Sequence, residues 1–190
     1  MIDRRVQKTL QSLHQALISL ILEKGYDAVS VQDILDKANV GRSTFYSHFG
    51  SKEALLQRGL EDLRKLLSSH QRAARAGRPR DAGGSMAFSR VLFEHASGYR
   101  EVYRAMLGQR AGALVTSRMS SLLAELVQAE LPPRLANKAI RHIPRDAVVH
   151  YIAGALLSVL TWWVDEGDKV SAVEADAIFR GLALSSVLGT

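Results

Sequence analysis

Residues 30–53 read SVQDILDKANVGRSTFYSHFGSKE, and this stretch decides the fold. Ser30 with Asp33 three positions on has capping-box spacing: a hydroxyl and an acid placed to serve the unpaired N–H groups of a helix start. Val31, Ile34, Leu35 and Ala38 then recur on one face at helical spacing. Asn39-Val40-Gly41 follows. Asn and Gly tolerate a left-handed backbone best, so a sharp reversal is cheap there. Phe45 and Phe49 stand four apart on the next helix and are expected to pack inward with Val40. Arg42, Ser43, Thr44, Tyr46, Ser47 and His48 fall on other faces, and each can hydrogen-bond. Gly50 stops this helix, and Ser51-Lys52-Glu53 opens another. The pattern is that of a helix-turn-helix, with an apolar inner side and an outer helix carrying small polar and basic groups suited to the major groove.

The run from Ala38 to Leu56, ANVGRSTFYSHFGSKEALL, resembles the signature of TetR/AcrR-type transcriptional regulators. The resemblance covers roughly residues 8 to 58. Its specific part is Phe45-Tyr46-x-His48-Phe49 followed by Ser51-Lys52-Glu53. Two positions depart from the family pattern. Asn39 stands where Gly is usual, which suits the same backbone. Gly41 stands where Ser or Thr is usual, which can cap a helix but offers no side chain to a phosphate.

The surrounding charge agrees with a nucleic-acid partner. The net charge of +6 is confined to residues 1–80, which hold 14 Lys/Arg against 8 Asp/Glu, while residues 81–190 hold 11 of each. Contacts of cationic side chains with phosphates supply most sequence-independent DNA affinity. The 190 residues contain no cysteine, which excludes disulfides and cysteine-ligated metal sites and fits a cytoplasmic location. The N-terminal segment is amphipathic, without the apolar core of a secretion signal.

The periodicity predicts helices along the whole chain, about nine in all. Residues 4–24 carry Val6, Leu10, Leu13, Leu17, Leu20 and Ile21 on one face, with Gly25 as a stop. A long helix from Ser51 to about residue 75 links this part to the rest. Residues 75–85, RAGRPRDAGGS, read as a loop and domain boundary. Residues 86–98 and 99–110 read as one helix or two, with Gly98 as a break, and further helices are expected at 113–130, 134–142, 145–166 and 172–188. Ser171 and Glu174 form a second capping-box pair. The expected fold is all-α. It has a helix-turn-helix domain at 1–50, a linking helix at 51–75, and a dimerisation and effector domain at 76–190.

Ala147 to Val164 is apolar over 18 residues apart from His150, Ser158 and Thr161, which is long enough to span a bilayer. A soluble reading is preferred. A helix apolar all round must be covered on every side, one face by its own domain and another by a second copy. Small residues such as Gly154 and Ser158 permit close approach. With Ile178, Leu182 and Ser185 of the final helix they are the candidate dimer interface. Two helices from each copy would then make a four-helix contact, the arrangement that the family resemblance implies.

For DNA, Arg42, Ser43 and Thr44 open the recognition helix, where base edges are met, and Arg42 can grip guanine bidentately. The resemblance assigns Tyr46 and His48 to phosphates. Lys52 is a further phosphate candidate, Ser47 suits a base or a phosphate, and Ser30 and Gln32 are DNA-backbone candidates. The resemblance also implies an effector pocket in the C-terminal half. Its candidate lining is Phe88, Phe93, Tyr99, Tyr103, Met106, Met119, Leu123, Tyr151 and Trp162, with His95 and His150 as polar handles; the alternative for a lone His such as His150 is a hydrogen-bonded core residue. No hydrolase, metalloprotease or phosphate-loop motif occurs, and the six histidines lack metal spacing. No enzyme activity, cofactor or metal is expected. The expected function is that of a ligand-responsive repressor, binding a palindromic DNA operator as a homodimer and answering to a small-molecule effector. The alternatives are an activator, or a regulator controlled by a protein partner. A membrane-anchored regulator or an enzyme built on the C-terminal cavity fits the sequence less well.

Overall fold

The computed structural model describes residues 4–76, 86–108, 111–131 and 142–188. Among them all regular structure is helical, as the periodicity predicts. The order is α1 (Arg4–Lys24), α2 (Val31–Ala38), α3 (Arg42–His48), α4 (Lys52–Arg75), α5 (Ala87–Gly98), α6 (Arg100–Leu107), α7 (Gly112–Glu130), α8 (Arg145–Asp165) and α9 (Ala172–Phe179). The last helix continues through a π turn, Arg180–Leu184, into Ser185–Leu188. The loop expected at 75–85 and the helix expected at 134–142 fall almost wholly outside the described residues. The chain divides into two compact units, Met1–Leu63 with Glu101–Arg118, and Arg64–Arg100 with Met119–Thr190.

In the first unit, α1 buries Leu13, Ala16, Leu17, Leu20 and Ile21 and ends at Gly25, whose φ of +81° is left-handed. The capping box at Ser30 forms in full. Ser30 Oγ accepts from the Asp33 amide at 3.1 Å, and the Asp33 carboxylate accepts from the Ser30 amide at 2.7 Å. Asn39 ends α2 at φ 52°, ψ 49°, the left-handed turn that its side chain tolerates. Phe45 is fully buried and Phe49 nearly so, with ring centroids 5.7 Å apart. His14 of α1 braces α4: Nδ1 lies 2.8 Å from the Leu10 carbonyl oxygen, and Nε2 lies 3.0 Å from that of Leu55.

In the second unit, Phe88, Leu92 and Phe93 of α5, Met119, Leu123 and Val127 of α7, Ile152, Leu156, Leu160 and Trp163 of α8, and Phe179 of α9 are buried. Trp163 anchors them. Its indole N–H donates to the Val170 carbonyl at 2.7 Å, and Phe93 meets its ring edge to face at 5.5 Å. Arg100 lies over the same ring and donates to the Trp163 carbonyl at 2.8 Å, closing the C-terminal end of α8. A polar cluster fastens α9 to α5. Asp176 takes hydrogen bonds from Ser89 and Arg180, and Arg180 also donates to the Met86 carbonyl at 2.9 Å.

By length and composition α8 is apolar enough to cross a membrane. Its inward stripe is Val148, Val149, Ile152, Ala153, Leu156, Leu160, Trp163 and Val164, all buried within the protein. The opposite stripe holds Tyr151, Gly154, Ala155, Ser158 and Trp162, which are exposed or half-buried.

Candidate nucleic-acid interface

α3 is held from beneath by Phe45 and Phe49, and Arg42, Ser43, Thr44, Tyr46, Ser47 and His48 are all exposed on it. This separation follows from helical geometry: residues four apart share a face, and the two phenylalanines occupy the face turned to the core. Tyr46 packs edge to face on Phe45 at 5.3 Å, which steadies its ring while leaving it 53% exposed. The Ser47 hydroxyl donates to the Thr44 carbonyl at 2.7 Å. At the helix start Gly41 contributes no side-chain cap, as its lack of a side chain requires.

The supporting helix is more engaged than its sequence implied. Ser30 is exposed, but its hydroxyl both accepts from the Asp33 amide and donates to the Asp33 carboxylate at 2.6 Å. The Lys24 ammonium, 2.8 Å away, is the largest influence holding the Asp33 carboxyl well below the usual carboxylate range, followed by Ser30. Gln32 is exposed and accepts a hydrogen bond from Arg42 at 2.6 Å. Asp36, which sequence reasoning passed over, accepts from the other end of the Gln32 amide at 2.7 Å. Its offset of four from Gln32 was the available signal.

Lys52 differs most from the expectation of a phosphate contact. Its ammonium donates to the carbonyls of Val29 at 2.7 Å, Tyr26 at 2.9 Å and Asp27 at 3.4 Å, and it lies 4.5 Å from the centre of the Tyr26 ring. Three donors meet three carbonyls, so the group ties the 26–29 turn to the start of α4. Glu53 joins the knot by accepting from the Tyr26 hydroxyl at 3.3 Å. Its carboxyl is held low, first by Ser51, while burial and then Glu53 push the Tyr26 phenol well up.

The effector candidates separate. Phe88, Phe93, Met119 and Leu123 are buried core of the second unit, and His95 is half-buried there, its imidazole pushed down by burial. Tyr103 and Met106 are buried and belong to the first unit. Tyr99, Tyr151 and Trp162 are 56%, 53% and 42% exposed and line no interior. The indole inside the second unit is Trp163, one position on: on a helix apolar all round, a single 100° step decides which of two adjacent tryptophans turns inward. His150 is exposed and hydrogen-bonded through Nδ1 to the Asp146 carbonyl at 2.9 Å, so the core reading fails for it too. A groove of about 370 Å³ in the first unit is lined by Gln7, Leu10, Gln11, His14, Arg58 and Asp62, none of them an effector candidate. Of the dimer candidates, Ser158, Leu182 and Ser185 are exposed, and Gly154 and Ile178 are half-buried.

Comparison with known proteins agrees with this construction. Residues 14–58 match the model of the bacterial regulatory proteins of the tetR family, and residues 86–184, over half the chain, match a transcriptional-regulator C-terminal region. The chain belongs to the TetR family of transcriptional regulators. Such proteins are DNA-binding regulators and not enzymes. This TetR-family chain is 25% identical over 167 residues to the HTH-type transcriptional regulator YxbF of Bacillus subtilis, covering 87% of itself and 42% of that protein. It is 41% identical over 63 residues to the HTH-type transcriptional repressor DhaR of a Mycobacterium species, covering 31% of itself and 32% of that repressor. The chain thus spans less than half the length of these curated relatives. A TetR regulator of Streptococcus agalactiae superposes with a TM-score of 0.66 at 25% identity, covering 95% of this chain and 96% of the other. Thermus thermophilus FadR, solved with lauroyl-CoA, superposes at 0.58 with 18% identity, over 93% and 94% of the two chains.

Proposed function

We propose that this TetR-family regulator is a ligand-responsive repressor that binds a palindromic operator as a homodimer. The observation that carries the DNA-reading part is α3: six polar side chains exposed on a short helix whose other face is locked by Phe45 and Phe49. Arg42, Ser43 and Thr44 meet base edges, and Tyr46, Ser47 and His48 meet phosphates. Gln32, whose amide is hydrogen-bonded at both ends within the fold, supports Arg42. Ser30 and Lys52 are left to hold the helices in place, because their polar groups are consumed within the fold. The functional division is residues 1–50 for DNA, 51–75 as the linking helix and 76–190 for dimerisation and effector binding, and the protein acts in the cytoplasm.

The dimer reading is supported by the outward stripes of α8 and of the last helix. Gly154, Ser158, Ile178, Leu182 and Ser185 share them with Tyr151, Trp162 and Val173, and a row of apolar and small side chains exposed on two neighbouring helices suits a second copy. Two copies place two recognition helices on half-sites about 34–36 Å apart, or a multiple of that. A small-molecule effector held among the inward-facing residues of the second unit releases DNA by favouring a state with the wrong separation, which demands unequal affinity for the two states.

The test is binding of the full chain to duplex DNA from the promoter beside its own gene as salt is raised. Six to ten phosphate contacts predict a loss of about 10³–10⁵ in affinity between 50 and 200 mM salt. A nearly flat response rejects the reading.

A further inference from the structure

Arg42 is the one arginine on α3, and it does not project freely. Its Nη2 donates to Gln32 Oε1 at 2.6 Å, and Gln32 Nε2 donates to Asp36 Oδ1 at 2.7 Å. The order of this chain is forced by chemistry. A carboxylate only accepts and a guanidinium only donates, so Asp36 fixes which end of the Gln32 amide is NH₂, and the carbonyl end must then face Arg42. Gln32 and Asp36 lie four apart on α2, so their side chains meet on one helix face. Arg42 stands at the first position of α3, directly after the turn made by Asn39 and Gly41. The three side chains are exposed, so none of them is needed to fill the core.

We infer that Gln32 and Asp36 are positioning residues that hold the Arg42 guanidinium for base readout, and so set sequence specificity without themselves reading a base. This deepens the proposed reading and rests on Arg42 contacting a base edge. A free arginine side chain loses rotamer freedom when it is fixed. A guanidinium already held by one edge has lost part of that freedom before DNA arrives, and its remaining N–H groups stay available for the paired acceptors O6 and N7 of guanine. Discrimination between bases gains from this arrangement, while non-specific phosphate affinity does not.

The experiment uses the full chain and a randomised duplex library. Sequences selected by the wild type are compared with those selected by Arg42→Ala, and the base pair whose preference disappears is assigned to Arg42. Affinity is then measured for the selected duplex and for the same duplex with that pair replaced. A good bidentate contact predicts discrimination of about tenfold or more in the wild type. Gln32→Ala should reduce this ratio several-fold and leave affinity for the replaced duplex within about twofold, because phosphate contacts are untouched. Asp36→Ala should act in the same direction, and Asp36→Asn, which keeps an acceptor oxygen, should restore the ratio. In an Arg42→Ala background, Gln32→Ala should change nothing further.

The inference is overturned if Gln32→Ala leaves the ratio intact, weakens both duplexes equally as loss of a phosphate contact would, or acts without Arg42. If Arg42→Ala selects the same sequences as the wild type, the base-reading role of Arg42 falls and this inference falls with it. If Arg42→Ala loses a base preference and Gln32→Ala does not, only the positioning role falls.

Discussion

The ammonium of Lys52 lies 2.7 Å from the carbonyl oxygen of Val29, the residue just before the capping box that opens α2. One cation thus joins the start of α4 to the entrance of the helix-turn-helix, through three main-chain carbonyls. Lys52→Met keeps the stem and removes every donor. Expected is a loss of about 1–3 kcal/mol of stability, read as a lower urea midpoint. The slope of log affinity against log salt should stay as in the wild type. A slope reduced by one would make Lys52 a phosphate contact after all.

Gly59 sits beneath His14. A methyl group added at Gly59 would lie 3.1 Å from the His14 ring, and that ring is held between the Leu10 and Leu55 carbonyls and cannot swing away freely. Ala is a better helix former than Gly by about 1 kcal/mol. Gly59→Ala should nevertheless fail to stabilise the wild type, and should recover that gain when combined with His14→Ala. Thermal unfolding of the four proteins in the cycle checks this.

Glu130 is only 2% exposed, and neither carboxylate oxygen makes a hydrogen bond of ordinary geometry among the described residues. Burial is the largest influence and raises its pKa, against smaller pulls from the Met86 amide and Arg75. The native state therefore holds this proton more tightly than the unfolded chain does. Stability from the neutral carboxyl is complete below the ordinary Glu range of about 4.3 and is lost as pH rises through the raised native value. Glu130→Gln should be more stable than the wild type at pH 8, by about 1–3 kcal/mol, with the advantage shrinking towards pH 4. Urea midpoints at the two pH values decide it.

Leu182 is 67% exposed on the last helix, and a methyl group added at Gly154 of α8 would meet nothing within 4 Å in a single subunit. Leu182→Glu and Gly154→Trp should each leave the subunit folded while shifting it to monomer at micromolar concentration, seen by sedimentation. Operator affinity should fall with the dimer, by at least about tenfold. Dimers of unchanged affinity would place the interface elsewhere.

Much of the fold was legible because its signals are local. Ser30 with Asp33, Asn39, Phe45 with Phe49, and Ser171 with Glu174 are short patterns whose chemistry acts within one turn of helix, and each does in the structure what its residue type requires. The exposed face of α3 followed from the same four-residue spacing. What spacing cannot give is a partner remote in sequence. The three carbonyls that hold Lys52 lie 23 to 26 residues earlier, so no local pattern announced them. Asp36 gains its role only because the turn brings Arg42 beside Gln32. In α8 the limit was different: with apolar residues on every side, periodicity carries no phase, and Trp162 was preferred over Trp163.

The π turn at Arg180–Leu184, where the Ser185 amide reaches back five residues to the Arg180 carbonyl, means that the last helix holds one residue more than a plain α-helix of the same span. Removing a residue elsewhere in a helix swings everything downstream by about 100°. Removing one here would relax the wide turn into an ordinary one and leave the faces on both sides in phase. The C-terminal helix thus carries a spare residue at the exposed Leu182, a place where chain length can change while the surface offered to a neighbour stays aligned.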